Sequence, residues 1–364
     1  MPPMFHKRAL ELRLAEMHRR RYCIVTSRGT VAIFLALQSL GSEQGCVIIP
    51  AIICPSVVNA IVYAGFTPEF CDVRLRDFNL DPVALERALK TQKAVRAVLL
   101  PHLYGHPTDI DRIRELTRSY RVPLIEDVAQ ALGGSYNGSP LGSFGDFSIL
   151  SFGHTKILDA GGGGAVLFDS EESFDRIRAL ARRLPQKAND YHQLETIYRR
   201  VYYTLAPLIR ERNELSFLYS SFPWIFRNLF LFRDVSPTLV ERIYSCLPLL
   251  PAIVKKRNEY AAHYRAHLNH EAITHPLYVG QGVYWRYSFL VRGNRQYEIA
   301  QAIRKRGVEV SNWYPPVHRF YQVHPEKLKH SEYVGDHMFN IWVDPRYTRK
   351  DINRTVQAVL RSVT

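Results

Sequence analysis

The stretch Val122-Pro123-Leu124-Ile125-Glu126-Asp127-Val128-Ala129-Gln130 passes within a few residues from an apolar run to polar side chains. A short apolar run bounded in this way reads as a buried strand. In open α/β sheets ligands lie beyond the carboxyl ends of the strands, so Asp127 and Gln130 fall where a ligand is expected. On this motif alone Asp127 has a lesser alternative, as the cap of a following helix. On either side the same texture repeats. Cys46-Val47-Ile48-Ile49, Ala97-Val98-Leu99-Leu100 and Ala165-Val166-Leu167-Phe168 read as strands, with a helix predicted from Asp109 to Tyr120 and a leading helix over residues 8–20. The alternation predicts an α/β fold, a mainly parallel sheet covered on both faces by helices. No internal repeat or low-complexity segment interrupts it.

Downstream, Ser151-Phe152-Gly153-His154-Thr155-Lys156 leads into the tract Gly161-Gly162-Gly163-Gly164. A lysine beside a glycine loop is usually a solvated surface residue. An amine held in place with a lowered pKa is instead a nucleophile toward an aldehyde, and a glycine turn lets backbone and ligand approach closely. Lys156 is therefore a candidate Schiff-base lysine. Pyridoxal phosphate (PLP) also needs a carboxylate beside its ring nitrogen to act as an electron sink, and Asp127 can supply that charge. Near the start, Thr26-Ser27-Arg28-Gly29-Thr30 precedes the apolar stretch Val31–Leu37, a turn followed by a helix. Such a helix N-terminus binds phosphate readily, although an ordinary Ser/Thr N-cap has the same appearance in sequence.

With these residues in place, the chain resembles the DegT/StrS-type sugar aminotransferases, PLP enzymes of fold type I (aspartate aminotransferase-like). The resemblance runs over most of the chain. It rests on Ser27-Arg28-Gly29-Thr30, the stretch Ile48-Ile49-Pro50 through Ala64-Gly65-Phe66-Thr67-Pro68, and His102-Leu103-Tyr104-Gly105-His106-Pro107. It continues through Glu126–Ala131, Ser151-Phe152 to Lys156, Gly163-Gly164-Ala165, and Trp313-Tyr314-Pro315-Pro316-Val317-His318. The resemblance implies a seven-stranded-type sheet, a Schiff base on Lys156, which later shuttles a proton between two carbons, and Asp127 at the ring nitrogen. It further implies Gln130 near the phenolic oxygen, with Gly29, Thr30 and Ser151 at the phosphate. Trp313, Tyr314 and His318 would lie near the substrate sugar, although His318 serves equally well as a hydrogen-bonded structural histidine.

Several positions depart from the family pattern. Cys54 stands where an aromatic residue usually stacks on the cofactor ring, and a thiol can pack there but not stack. Gly162 replaces a glutamate, and Arg28 replaces a small residue in the phosphate turn. Relatives carry an Asn-x-Arg motif that reaches the neighbouring subunit's cofactor phosphate. Here the nearest match is Leu231-Phe232-Arg233, which leaves Arg233 as the candidate. Between 184 and 234 the resemblance is poorest, and aromatic residues interleave with arginines. That mixture suits a helical insertion against a dimer partner, a peripheral membrane contact or a pocket for a bulky substrate.

The 364 residues, 46% of them hydrophobic, suffice for a large core. The expected division is a PLP-binding domain over 1–234, including the atypical 184–234 segment, and a smaller C-terminal α/β domain over 235–364. In the latter, a long polar helix is predicted from Lys255 and a strand over Trp285–Val291. Five cysteines without regular spacing argue against a disulfide framework or a zinc site, and no metal site is expected. The first residues lack the apolar core of a signal peptide, and no apolar run reaches membrane-spanning length, so a reducing, cytoplasmic compartment is expected. The net charge of +14 calls for an anionic partner. A nucleotide-linked sugar would suit. Scattered basic residues with no nucleic-acid motif argue against nucleic acid.

The residues point to PLP chemistry, and the resemblance implies amino transfer from an amino acid, glutamate or glutamine, to a nucleotide-linked keto-sugar. The product would feed surface polysaccharide or a glycosylated metabolite, and a homodimer is expected. The alternatives are a PLP-dependent sugar dehydratase, whose relatives often lose the lysine retained here, and a non-catalytic family member.

Overall fold

The computed structural model describes residues 3–41, 44–211, 213–321 and 325–364. Its strands in chain order are β1 (Tyr22–Thr26), β2 (Cys46–Pro50), β3 (Thr67–Cys71), β4 (Val95–Pro101), β5 (Leu124–Asp127), β6 (Ser135–Tyr136), β7 (Ser139–Pro140), β8 (Phe147–Ser151) and β9 (Gly164–Phe168). They continue with β10 (Ile273–Thr274), β11 (Tyr287–Val291), β12 (Val310–Ser311) and β13 (Met338–Ile341). Seven of them form the main sheet, in the order β1-β9-β8-β5-β4-β2-β3. From β3 to β8 all neighbours are parallel, whereas β9 is antiparallel to both β8 and β1. The carboxyl ends of β1, β4, β5 and β8 therefore share one edge, where β9 begins. In register this edge aligns Pro101 with Asp127, and Gly164 with both Ser151 and Thr26.

Period-two alternation divides the sheet's side chains between two cores. On β9, Val166 and Phe168 join the cluster beneath the Gly29–Ser39 and Pro55–Tyr63 helices, while Ala165 and Leu167 join the opposite one. Local signals set the helix starts. Asp81, Asp109 and Ser170 accept hydrogen bonds from backbone N–H groups of the first turns that follow them, and proline opens the Pro55–Tyr63 and Pro82–Thr91 helices. The helix predicted from Asp109 to Tyr120 is Ile110–Ser119, with those two residues as its caps. The leading helix runs over Pro3–Met17 instead of 8–20. It ends before His18, whose Nδ1 bonds the Leu141 carbonyl.

The C-terminal sheet, β10-β11-β13-β12, is antiparallel throughout. The α/β pattern read there is therefore strands and helices around an antiparallel sheet, because its connections need no parallel crossover. Its long helix spans Leu250–His267, five residues ahead of the predicted start at Lys255, since Pro251 is accepted in a first turn.

The described residues of 184–234 include the helix Tyr191–Glu211 and a series of short helical turns. Tyr202, Tyr219, Phe222, Phe226 and Phe230 are buried in the same core as the Gly29–Ser39 helix, whereas Tyr203, Phe217, Trp224 and Ile225 are exposed. Among the described residues no helix is long and apolar enough to cross a membrane.

Candidate active site

At the carboxyl edge of the main sheet lies a cavity of about 300 Å³, whose lining includes Lys156, Asp127, Gly29, Thr30, Ser151 and Cys54. Asp127 ends β5 and is buried. Its Oδ1 accepts the Ala129 N–H at 2.9 Å, which forms the tight turn after the strand and leaves Oδ2 for a ligand. Burial raises its pKa, and the nearby charge of Lys156 partly opposes that rise. Residues 128–134 form turns and no helix, so Asp127 closes a turn instead of capping a helix, and Oδ2 is the oxygen left for a ligand.

Gln130 follows on the same turn. Its Oε1 accepts the Tyr104 N–H at 2.7 Å and its Nε2 donates to the Tyr314 hydroxyl at 2.8 Å. Tyr104 N–H can only donate, so the orientation of the amide is determined and one Nε2 hydrogen remains for the cavity. Burial holds the Tyr314 phenol well above its ordinary pKa, and it stays neutral.

The helix beginning at Gly29 has no side-chain cap. Thr26 Oγ1 donates to the Arg28 carbonyl and Ser27 Oγ to the Phe232 carbonyl, so the Ser/Thr N-cap reading is excluded. The first N–H groups of the helix are left open beside Ser151. A Cβ on Gly164 would come within 2.5 Å of the Arg28 carbonyl carbon, so glycine is required there, and one on Gly29 would come within 3.1 Å of Ser151 Cβ, a tight contact that Ser151 would have to yield to.

Lys156 sits in a loop pinned from two sides. Asp159 accepts from Thr155 N–H at 3.2 Å and Gly161 N–H at 2.9 Å, and Trp285 Nε1 donates to the Thr155 carbonyl at 2.6 Å. Thr155 itself has φ 68°, an unfavourable conformation for a β-branched residue that these contacts hold in place. Trp285 stacks on Tyr314 at 5.9 Å between ring centroids, so two C-terminal aromatic residues support the cavity from one side.

The remaining predicted residues are dispersed. Trp313 lines a second cavity of about 320 Å³ that adjoins the first, together with Cys54, and Tyr314 acts through Gln130. His318 lines neither cavity. It is buried with Nε2 2.6 Å from Glu332 Oε1, and its surroundings fit the structural histidine rather than a sugar contact. Arg233 also lies elsewhere, in a surface cavity with Lys7, Arg8, Arg178 and Asp234, where its Nη1 donates to the Arg182 carbonyl at 3.4 Å. Gly162 lines the first cavity where the family pattern has glutamate.

Several lining residues were given no role by sequence reasoning. His102, just past the end of β4, donates through Nε2 to Glu126 Oε1 at 2.9 Å. Glu126 also accepts the N–H groups of Gly142, Phe144 and Gly145. Burial pushes its carboxyl up, but His102 and the backbone donors outweigh this and hold it below the usual range. The strand-edge rule that selected Asp127 also applies to His102, one strand away. Glu195, Arg199 and Phe230 enter from the 184–234 segment; the aromatic and arginine mixture there suits a substrate pocket, but nothing in the local sequence singles out Glu195.

The sheet order and the lysine and carboxylate at its edge define the class as fold type I of the PLP proteins. Within that class, the chain belongs to the DegT/DnrJ/EryC1/StrS aminotransferase family, which matches residues 5–196. It is 38% identical over 167 residues to a GDP-perosamine synthase of Escherichia coli O157:H7, covering 46% of this chain and 45% of that protein. It is 35% identical over 196 residues to the putative pyridoxal phosphate-dependent aminotransferase EpsN of Bacillus subtilis, covering 51% and 50%. The matches thus span about half the length of these curated relatives. The X-ray structure of S. venezuelae DesV in complex with a ketimine intermediate superposes with a TM-score of 0.78 at 23% identity, over 98% of this chain and 89% of that one, which shows the shared fold.

The residues present fit PLP. An uncapped helix N-terminus faces Ser151, Asp127 Oδ2 and one Gln130 hydrogen are left open, and the buried His102 Nδ1 lacks a partner among the described residues. Gly29, Thr30 and Ser151 would hold the phosphate, Asp127 the ring nitrogen, and Lys156 the aldehyde carbon.

Proposed function

We propose that the protein is a PLP-dependent aminotransferase that moves an amino group from an amino acid to a nucleotide-linked keto-sugar. The reading is carried by the convergence of Lys156, Asp127 and the open helix N-terminus at Gly29 on one cavity. PLP supplies the electron sink for breaking a bond next to the transferred nitrogen. The chain's own part is to position and to move protons. Asp127 keeps the ring nitrogen protonated, and a cation beside it counters the burial that raises its own pKa. Lys156 Nζ would take and return the proton that moves between the two carbons, and Asp159 and Trp285 fix the loop that carries it. Gln130, locked by Tyr104 and Tyr314, offers a hydrogen to the phenolic oxygen.

Glutamate or glutamine is the amino donor in this proposal, the product serves surface polysaccharide or a glycosylated metabolite, and the protein works as a cytoplasmic homodimer. The test is the visible spectrum of the protein with PLP before and after glutamate. Expected is an absorbance band of the Lys156 Schiff base that borohydride removes and that glutamate bleaches as the cofactor takes the amino group. In Lys156→Ala, with an unchanged circular dichroism spectrum, the band and turnover disappear. A band that ignores both glutamate and glutamine would favour the dehydratase, and absence of any band would favour a non-catalytic protein.

A further inference from the structure

Arg28, the residue that departs from the phosphate-turn pattern, is built into the wall between the two cavities. Its Nη1 donates to the Leu229 carbonyl at 3.1 Å, and its guanidinium lies 5.9 and 5.5 Å from the ring centroids of Tyr191 and Phe230. Arg199, one helical turn after Glu195, approaches from the other side. Both guanidiniums converge on a single oxygen, Glu195 Oε1, at 4.0 Å from Arg28 Nη2 and 3.3 Å from Arg199 Nη2. All three residues line both the cavity of Lys156 and the outer one. One carboxylate between two guanidiniums leaves a net positive charge, with donors on each arginine still open to an anion.

We propose that Arg28 and Arg199, spaced by Glu195, are the docking point for the diphosphate of a nucleotide-linked substrate. This rests on the aminotransferase reading above and deepens it. The order of features along the cavities favours a diphosphate over a donor carboxylate. Lys156 and Asp127 line only the first cavity, the arginine pair forms the shared wall, and Tyr198, Tyr203 and Trp313 line only the outer cavity. A sugar, a diphosphate and an aromatic base occur in the same sequence in a nucleotide sugar, and two guanidiniums match two phosphate groups by charge and by paired N–H geometry. A donor amino acid would leave the outer aromatic chamber unused.

The test is calorimetric titration of the PLP-loaded protein with UDP, GDP, dTDP and inorganic pyrophosphate. Arg199 has a side chain 60% exposed, so Arg199→Met leaves the fold intact, and Arg28→Lys keeps the charge while losing the paired donors. At least tenfold weaker binding of a nucleoside diphosphate is expected in Arg199→Met and in Arg28→Lys. Severalfold tighter binding is expected in Glu195→Gln, with the glutamate dependence of Schiff-base bleaching unchanged in Arg199→Met. Unchanged diphosphate binding in Arg199→Met, no binding of any probe to the wild type, or a rise confined to the glutamate KM would each overturn the proposal. The heat of binding is read independently of the cofactor band, so loss of the aminotransferase reading and loss of this site are separate results.

Discussion

Asp127 shows how much chemistry one side chain carries when its two oxygens are held apart by the backbone. With Oδ1 tied to Ala129 N–H, the carboxylate cannot rotate freely, and Oδ2 is presented to the cavity. Asp127→Asn retains the turn but removes the charge. We expect it to bind PLP and to turn over ~10²-fold or more slowly, measured as kcat with glutamate and a keto-sugar; near-wild-type kcat would mean that another group protonates the ring. Glu332 is a second residue with a defined titration. Burial pushes it up, but His318 and Arg319 outweigh burial and hold its carboxyl at about 2, against an ordinary value of 4.5. A carboxyl depressed in the folded state contributes stability above its unfolded pKa and loses it as pH falls toward the folded one. Glu332→Gln is therefore expected to cost about 2 kcal/mol at neutral pH. The gap to wild type should narrow as pH drops from about 4.5 toward about 2, read from denaturant midpoints across that range. A gap constant with pH would place its contribution in packing rather than charge.

The helix Tyr191–Glu211 and the turns after it show one element serving core and cavity together. Tyr198 packs against Phe222, Phe226 and Phe230 at centroid distances of 5.2, 5.4 and 5.1 Å, while Glu195 and Arg199 on the same helix face the cavities. Helical spacing of three and four residues puts these positions on adjoining faces. Phe222→Ala should destabilise the protein by about 3–5 kcal/mol in denaturant unfolding, since it empties a buried aromatic site. Trp224→Ser, at a half-exposed site, should change stability by no more than about 0.5 kcal/mol. Equal costs for the two would mean that the exposed aromatic row is covered in solution. The aromatic and arginine mixture was legible in the sequence as unusual. Its division into a buried row and a cavity-lining row was not, because alternation within a helix does not specify which neighbour each face meets.

For the whole molecule, the cavity depends on segments far apart in the chain. Gly29, Asp127, Ser151 and Lys156 meet because β1, β5 and β8 end on one edge, and Trp285 and Tyr314 reach that edge from the C-terminal part. Arg233 remains outside the cavity of its own chain. If it serves the site of a second copy, as the family resemblance implies, Lys156→Ala and Arg233→Ala proteins, each inactive alone, should regain activity when mixed and allowed to exchange subunits. In a mixed dimer one of the two sites keeps both residues. Failure of the mixture, with exchange verified by mass, would confine Arg233 to its own subunit. By itself the sequence determined the strand-helix alternation, the strand-edge position of Asp127 and Gln130, and the lysine between a hydroxyl motif and glycines. These are local patterns, fixed by side-chain period and by the few residues that can turn tightly or carry charge. Only the tertiary structure decided that His318 pairs with Glu332 away from the cavity, that His102 and Glu126 pair beneath it, and that Arg28 meets Glu195. Those contacts join residues from 14 to 167 positions apart, and sequence patterns carry no information on which distant surfaces the packing of the core will bring together.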